Sequence, residues 1–240
     1  MKYNFFGVTF WFNIYENHTE ILNVFKERLS DEYQEFNLRT LDKNLINPVL
    51  IAVNNELRTN IRMSQINFQY TMDKVEKKDL ERFKERVLEL FSILKEQNVD
   101  ILHTSVCLNA EFVDDDAIDK LTNLLNPKYT NDYLVDASFK VGKKEEDLFY
   151  KIISLTNKKQ IKLPRVVDEQ NRAVPIPLIS WNGSLIENEL VDITYEINDK
   201  YSFDFSLDYH TTEFYLNKML YLLMNDFKTD INNLFEDIDI

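Results

Sequence analysis

Glycine is the first thing this chain lacks: 240 residues hold three, Gly7, Gly142 and Gly183. Average usage of about 7% would give roughly seventeen. A Walker A loop, a GxGxxG dinucleotide turn and a GxSxG elbow all need closely spaced glycines, and no such spacing occurs. Three histidines and one cysteine speak against zinc fingers, iron–sulfur clusters and a three-histidine metal centre. No cofactor is expected. The single Cys107 permits no internal disulfide and suits a reducing compartment. Long hydrophobic runs are missing too. The most apolar segment, residues 4–14, falls short of the about 20 residues that span a bilayer, and no A-x-A cleavage pattern follows it. These absences predict a soluble, cytoplasmic protein without a membrane partner.

What is present is a pattern of strands and helices. Residues 4–14 are aromatic and β-branched and read as a buried strand. Asn17 with Glu20 three residues on fits a capping box, followed by Ile21, Leu22, Phe25 and Leu29 at helical spacing. Three short apolar runs, 48–54, 57–63 and 65–72, read as strands, and the last places Ile66, Phe68 and Tyr70 on one face. Residues 77–97 carry Leu80, Phe83, Val87, Leu90, Phe91 and Leu94, the strongest amphipathic helix in the chain. The order then begins again. A strand is predicted over 99–112 and a helix opens at Asp114-Asp115-Asp116. Strands follow at 133–142, 147–156, 176–182 and 188–197, then a final helix at 211–235. Residues 157–177, with Lys158, Lys159, Lys162, Arg165 and Arg172, read as a long basic loop. Scarce glycine predicts turns built on Asn and Asp, as at Asn54-Asn55 and Asn198-Asp199.

The expected fold is therefore α+β, largely antiparallel, with helices on one face of the sheet or sheets. Two units are expected: a β-α-β-β-β-α half over 1–98 and a β-α-β-β-β-β-α half over 99–240, the latter with the basic loop 157–177 inserted. Sliding the chain by 96 places Thr9 on Ser105, Leu22 on Ile118 and Phe25 on Leu121. Duplication and chance agreement between two ordinary α+β patterns both explain this.

Net charge is −13, which makes nucleic acid a poor default partner. The charge is uneven: residues 1–98 sum to −1 and residues 99–240 to −12. Asp114, Asp115, Asp116, Asp119, Glu236 and Asp237 are the candidates for an acidic surface that docks a protein partner. A solvated face explains the same residues. Lys158, Lys159, Lys162 and Arg165 are the one candidate anion site, and a solvated linker explains them equally.

Catalytic constellations fare worse. His103, Ser105 and Cys107 share a strand face, but His103 and Cys107 stand roughly 13 Å apart, too far for a nucleophile–base pair. Asp114–Asp116 point in different directions from a helix start, where negative charge serves as a cap. Glu76 and Lys78 have the Glu-x-Lys spacing of restriction-type nucleases, yet fall at a helix start, with Asp73 and Asp42 as the nearest upstream acids on no convincing strand. His18 and His210 read as capping or turn residues. Trp11 and Trp181 could stack bases, but an apolar strand around each favours a core role. No catalytic or metal-binding residue is assigned.

The strand 101–109 closing on Asn109, the Phe203–Phe205 run and the following helix with Leu216, Leu220 and Phe227 resemble a sporadically distributed, uncharacterised prokaryotic family of similar length. That resemblance implies an α+β fold and a setting of phage–host conflict, as a defence component or its inhibitor. The function expected first is a non-enzymatic interaction protein that binds a protein partner. A carboxylate-dependent metal hydrolase or nuclease, and a nucleic-acid or nucleotide binder using the basic loop, are the alternatives.

Overall fold

Alternation along one central strand sets the architecture. In β1 (Lys2–Phe12) the residues Phe6, Val8, Phe10 and Phe12 are buried, while Phe5, Thr9 and Trp11 between them are only partly so. Each fully buried Phe or Val contributes about 1.5–3 kcal/mol, so the even-numbered side faces the core. The computed structural model describes residues 2–13, 18–39, 44–113, 138–145, 149–161, 186–199 and 210–235.

The other strands are β2 (Glu35–Leu38), β3 (Leu50–Asn54), β4 (Thr59–Met63), β5 (Asn67–Asp73), β6 (Ile101–Val113), β7 (Ser138–Glu145), β8 (Phe149–Ile161) and β9 (Ile186–Asn198). They form one nine-stranded sheet in the order β2-β3-β4-β5-β1-β6-β9-β8-β7. Every neighbouring pair is antiparallel. The fold is α+β, as expected. Whether the segments before and after residue 98 share a sheet was open in the sequence. They do, through the β1–β6 pair, in which Thr9 and Ser105 face each other.

Three helices, α1 (His18–Leu29), α2 (Asp79–Glu96) and α3 (Glu213–Phe235), cover the apolar side. Phe83 of α2 meets Phe6 and Tyr70, with ring centroids 5.6 and 5.7 Å apart. Phe25 of α1 stacks on Phe68 at 5.1 Å, and Phe227 of α3 meets Tyr195 edge-on at 5.5 Å. Offset and edge-to-face pairs of this kind add about 0.5–1.5 kcal/mol beyond area burial. All six apolar positions expected of α2 are buried. The helix ends at Asn98, whose φ of 56° is left-handed. The Asn98 N–H donates to Lys95 O at 2.9 Å and the Val99 N–H to Leu94 O at 3.0 Å, the paired bonds of a Schellman stop made with Asn in place of glycine. The β3–β4 turn likewise uses Asn54, whose Oδ1 accepts the Leu57 N–H at 2.9 Å. Among the described residues no helix is long and apolar enough to cross a membrane.

Some expectations change. Glu35–Leu38 is a strand with no counterpart in the sequence reading. The strand expected at 99–112 is β6, which runs one residue further, to Val113. Residues 157–161, expected in the basic loop, belong to β8. There β8 pairs with β9, Lys158 opposite Leu190 and Lys159 opposite Glu189. Asp73 closes strand β5, and Trp11 stands on the side of the sheet away from the helices. His18 is the first residue of α1 rather than a residue before it. The strand expected at 176–182 and the helix expected from Asp114 lie outside the described residues.

Candidate functional site on the open sheet face

The odd-numbered side of β1 and the positions in register with it are covered by none of the three helices. The register lines these residues up from strand to strand. One row reads Arg62, Gln69, Thr9, Ser105 and Asn198; the next reads Asn60, Thr71, Gly7, Cys107 and Glu196. In these two rows every residue but Gly7 has a side chain that can make hydrogen bonds. Two regions of the face use that capacity differently.

On β1, β6 and β9 the polar side chains hold one another. Asn4 Nδ2 donates to Asn109 Oδ1 at 2.8 Å, and Asn109 Nδ2 donates to Asp192 Oδ1 at 3.1 Å and Thr194 Oγ1 at 3.0 Å. Ser105 Oγ donates to Glu196 Oε1 at 2.8 Å, and Asn198 Nδ2 reaches the same oxygen at 3.1 Å. Lys2 pairs with Glu111 at 3.5 Å. Cys107 lies inside this network. Burial pushes its thiol up to about 12, with the Glu196 carboxylate adding to the rise and the Gly7 N–H opposing it. A thiol held so high is a poor nucleophile at neutral pH. Gly7 leaves room for this thiol: a Cβ at that position would lie 3.0 Å from Cys107 Sγ, so the sulfur would have to give way.

On β4 and β5 the same kinds of side chain stand apart. Asn60, Arg62, Gln69, Thr71 and Asp73 line a recess of about 240 Å³. Among the described residues none of the five has a side-chain hydrogen bond or ion pair, and Asn60 Oδ1 is a buried acceptor without a partner. Burial raises the Asp73 carboxyl above its ordinary range, against the pull of Lys74.

Two ionic clusters tie α3 to the sheet. At its start, Asp199 Oδ1 accepts from Thr104 N at 2.9 Å and lies 2.5 Å from His103 Nδ1. Thr211 Oγ1 donates to Asp199 Oδ2 at 2.6 Å, and Thr104 Oγ1 donates to Thr211 Oγ1 at 2.9 Å. A histidine–carboxylate pair is two-thirds of a nucleophilic triad. Here the carboxylate serves two hydroxyl-bearing residues as well, and Cys107 stands two alternations away along β6. Towards the other end of α3, Lys151 Nζ meets Asp226 at 2.6 Å, and Asp230 and Glu145 at 3.3 Å each. Burial alone would lower this ammonium; the three carboxylates hold it above the ordinary lysine value. Tyr195 donates to Asp230 at 2.5 Å, and burial followed by that carboxylate raises its phenol. The ammonium occupies the point where the three acids converge. Among the described residues no group of His, Cys, Asp and Glu is placed to hold a metal ion.

The residues singled out in the sequence fall as follows. Asp114, Asp115, Asp116, Asp119, Glu236 and Asp237 lie outside the described residues, as do Lys162 and Arg165. Lys158 and Lys159 are strand residues of β8. Glu76 pairs with Lys78 at 2.7 Å, ahead of α2. His210 Nδ1 lies 2.8 Å from Asp100. The sequence reading missed the recess entirely, although Gln69, Thr71 and Asp73 occupy the opposite phase to Phe68, Tyr70 and Met72. No protein-family model and no curated protein matches the chain.

Proposed function

We propose that this is a non-enzymatic interaction protein that binds a protein partner with the open face of its sheet. One observation carries the reading. The face offers hydrogen-bonding side chains across neighbouring strands, rigid on β6 and β9 and unengaged on β4 and β5. Groups capable of catalysis in other settings are engaged inside the fold, Lys151 by three carboxylates and His103 by its hydrogen bond to Asp199. A sheet face of this kind is stiff and pre-organised, so little conformational entropy is lost when a partner settles on it. The acidic docking surface expected from residues 114–119 and 236–237 is replaced in this reading by the mixed polar face.

The test compares the full chain with Thr9→Arg, which places a long cation at the centre of the face. Proteins retained from host lysate by each are identified, and the complex is rebuilt from purified components. A partner bound by the wild type and lost in the variant, at unchanged melting temperature, is expected. A partner that binds both equally, or substrate turnover that survives the substitution, would overturn the reading.

A further inference from the structure

The recess on β4 and β5 differs from the rest of the face in ways that specify a ligand, and the inference below rests on the proposed function. Its walls hold five hydrogen-bonding side chains with no side-chain partner among the described residues. A buried acceptor without a partner costs about 1–3 kcal/mol, and native structures contain few of them. Asn60 Oδ1 therefore calls for a donor from outside. The volume, about 240 Å³, lies below the roughly 300 Å³ at which sites for drug-sized ligands begin. It is too small for a dinucleotide and suits a short stretch of a larger molecule.

The arrangement of charge narrows the choice. Arg62 lies opposite Gln69, at one end of the recess. Asp73 lies four residues further along β5, roughly 13 Å from Gln69 at the rise of an extended strand. Gln69 at the Arg62 end, with Asn60 and Thr71 in the next row, supplies two carboxamides and a hydroxyl that can each donate and accept. A single guanidinium and a single carboxylate about one short peptide apart, with amide-binding groups between, complement an extended polypeptide. Such a segment would set an acidic side chain at Arg62, a basic one at Asp73 and peptide groups over Asn60 and Gln69. A polyanion would meet the Asp73 carboxylate, and a polycation would meet Arg62. We infer that the β4–β5 recess is the reading site for an extended peptide segment of the partner that carries one acidic and one basic side chain about four residues apart.

The test uses the full-length protein and a blocked peptide, Ac-Glu-Ser-Thr-Ser-Lys-NH2, with the all-Glu and all-Lys versions as controls. Binding is followed by NMR through the side-chain amide signals of Asn60 and Gln69. The mixed-charge peptide should shift both signals, and each control should bind at least 10-fold more weakly. Arg62→Glu and Asp73→Lys should each weaken the mixed peptide by at least 10-fold. The double swap Arg62→Glu/Asp73→Lys should restore binding, since the peptide can lie the other way round. That rescue separates recognition from misfolding, as do unchanged melting temperatures. Equal binding of all three peptides, shifts confined to Asn109, or a double swap as weak as the single ones would overturn the inference. If the partner is lost in Thr9→Arg but is indifferent to Arg62→Glu and Asp73→Lys, the recess assignment falls while the proposed function stands.

Discussion

Asn109 and Gln69 are both carboxamides on the side of the same sheet away from the three helices, one strand to either side of β1, yet they live in different company. Asn109 bonds to three neighbouring side chains, Asn4, Asp192 and Thr194. Gln69 sits beside Arg62 and Thr71 with no such bond among the described residues. Asn109 is the more buried of the two, but burial is not the whole explanation, because Ser105 on the same strand is half-buried like Gln69 and still bonds to Glu196. The composition of the adjoining strand supplies the rest. β9 brings Asp192, Thr194, Glu196 and Asn198 against β6, short acceptors at the right height for cross-strand bonds. β4 brings only Asn60 and Arg62 against β5, and its long cation does not close a ladder. Polar residues on one sheet face can thus serve structure on one side and recognition on the other, and only the bond inventory tells them apart.

That contrast can be broken experimentally, starting with the largest effect. Cys107, within the engaged region, should react with iodoacetamide at pH 8 about 1,000-fold more slowly than an exposed cysteine, because a thiol pushed up to about 12 is that much less ionised. The rate should keep rising about tenfold per pH unit until near pH 12. Fast labelling that levels off above about pH 9, as for an ordinary thiol, would mean that the β6–β9 network is open. Next, Asp199→Ala takes the shared acceptor from His103, Thr104 and Thr211. It should lower the unfolding free energy in urea by about 1–3 kcal/mol for each donor left buried and unpaired. A loss under 1 kcal/mol would show that α3 is not anchored there. Smaller still, Asn109→Ala should cost about 1–3 kcal/mol by leaving Asn4 and Asp192 short of a partner. In a double-mutant cycle with Thr194→Ala, the coupling should exceed 0.5 kcal/mol. Additivity would remove the ladder from the explanation.

Alkaline titration sharpens the same picture for α3. The Lys151 ammonium is raised in the folded protein, so its contribution is complete below the unfolded lysine value near 10.4 and lost as pH climbs through the higher folded value. Lys151→Met should therefore flatten the stability curve above about pH 10 while leaving its shape between pH 6 and 9 unchanged.

Much of this was legible in the residues. The phase of Phe68 and Tyr70 marked β5, and the spacing of Leu80, Phe83, Val87, Leu90, Phe91 and Leu94 marked α2, because burial follows period directly. β2 was not legible: Glu35-Phe36-Asn37-Leu38 is a four-residue edge strand with one half-buried aromatic, too short to show a period. Trp11 was misplaced for a related reason. In a strand rich in aromatics on both faces, the hydrophobic pattern does not say which face is covered, and the helices decide it. The recess was hidden more deeply. Gln69, Thr71 and Asp73 were readable as the polar phase of β5, but their meeting with Asn60 and Arg62 depends on the β4–β5 register. Only the structure reveals that these side chains have no side-chain partner among the described residues.

The sharpest test sets the two regions side by side in one urea-unfolding series. Asn60→Ala/Gln69→Ala on the recess should leave the unfolding free energy unchanged or raise it, by up to the about 1–3 kcal/mol that the unpartnered Asn60 acceptor costs. Asn4→Ala/Asn109→Ala on the ladder should lower it by about 1–3 kcal/mol. A recess pair that costs as much as the ladder pair would mean that its side chains hold the fold together, and that the face has no region reserved for a partner.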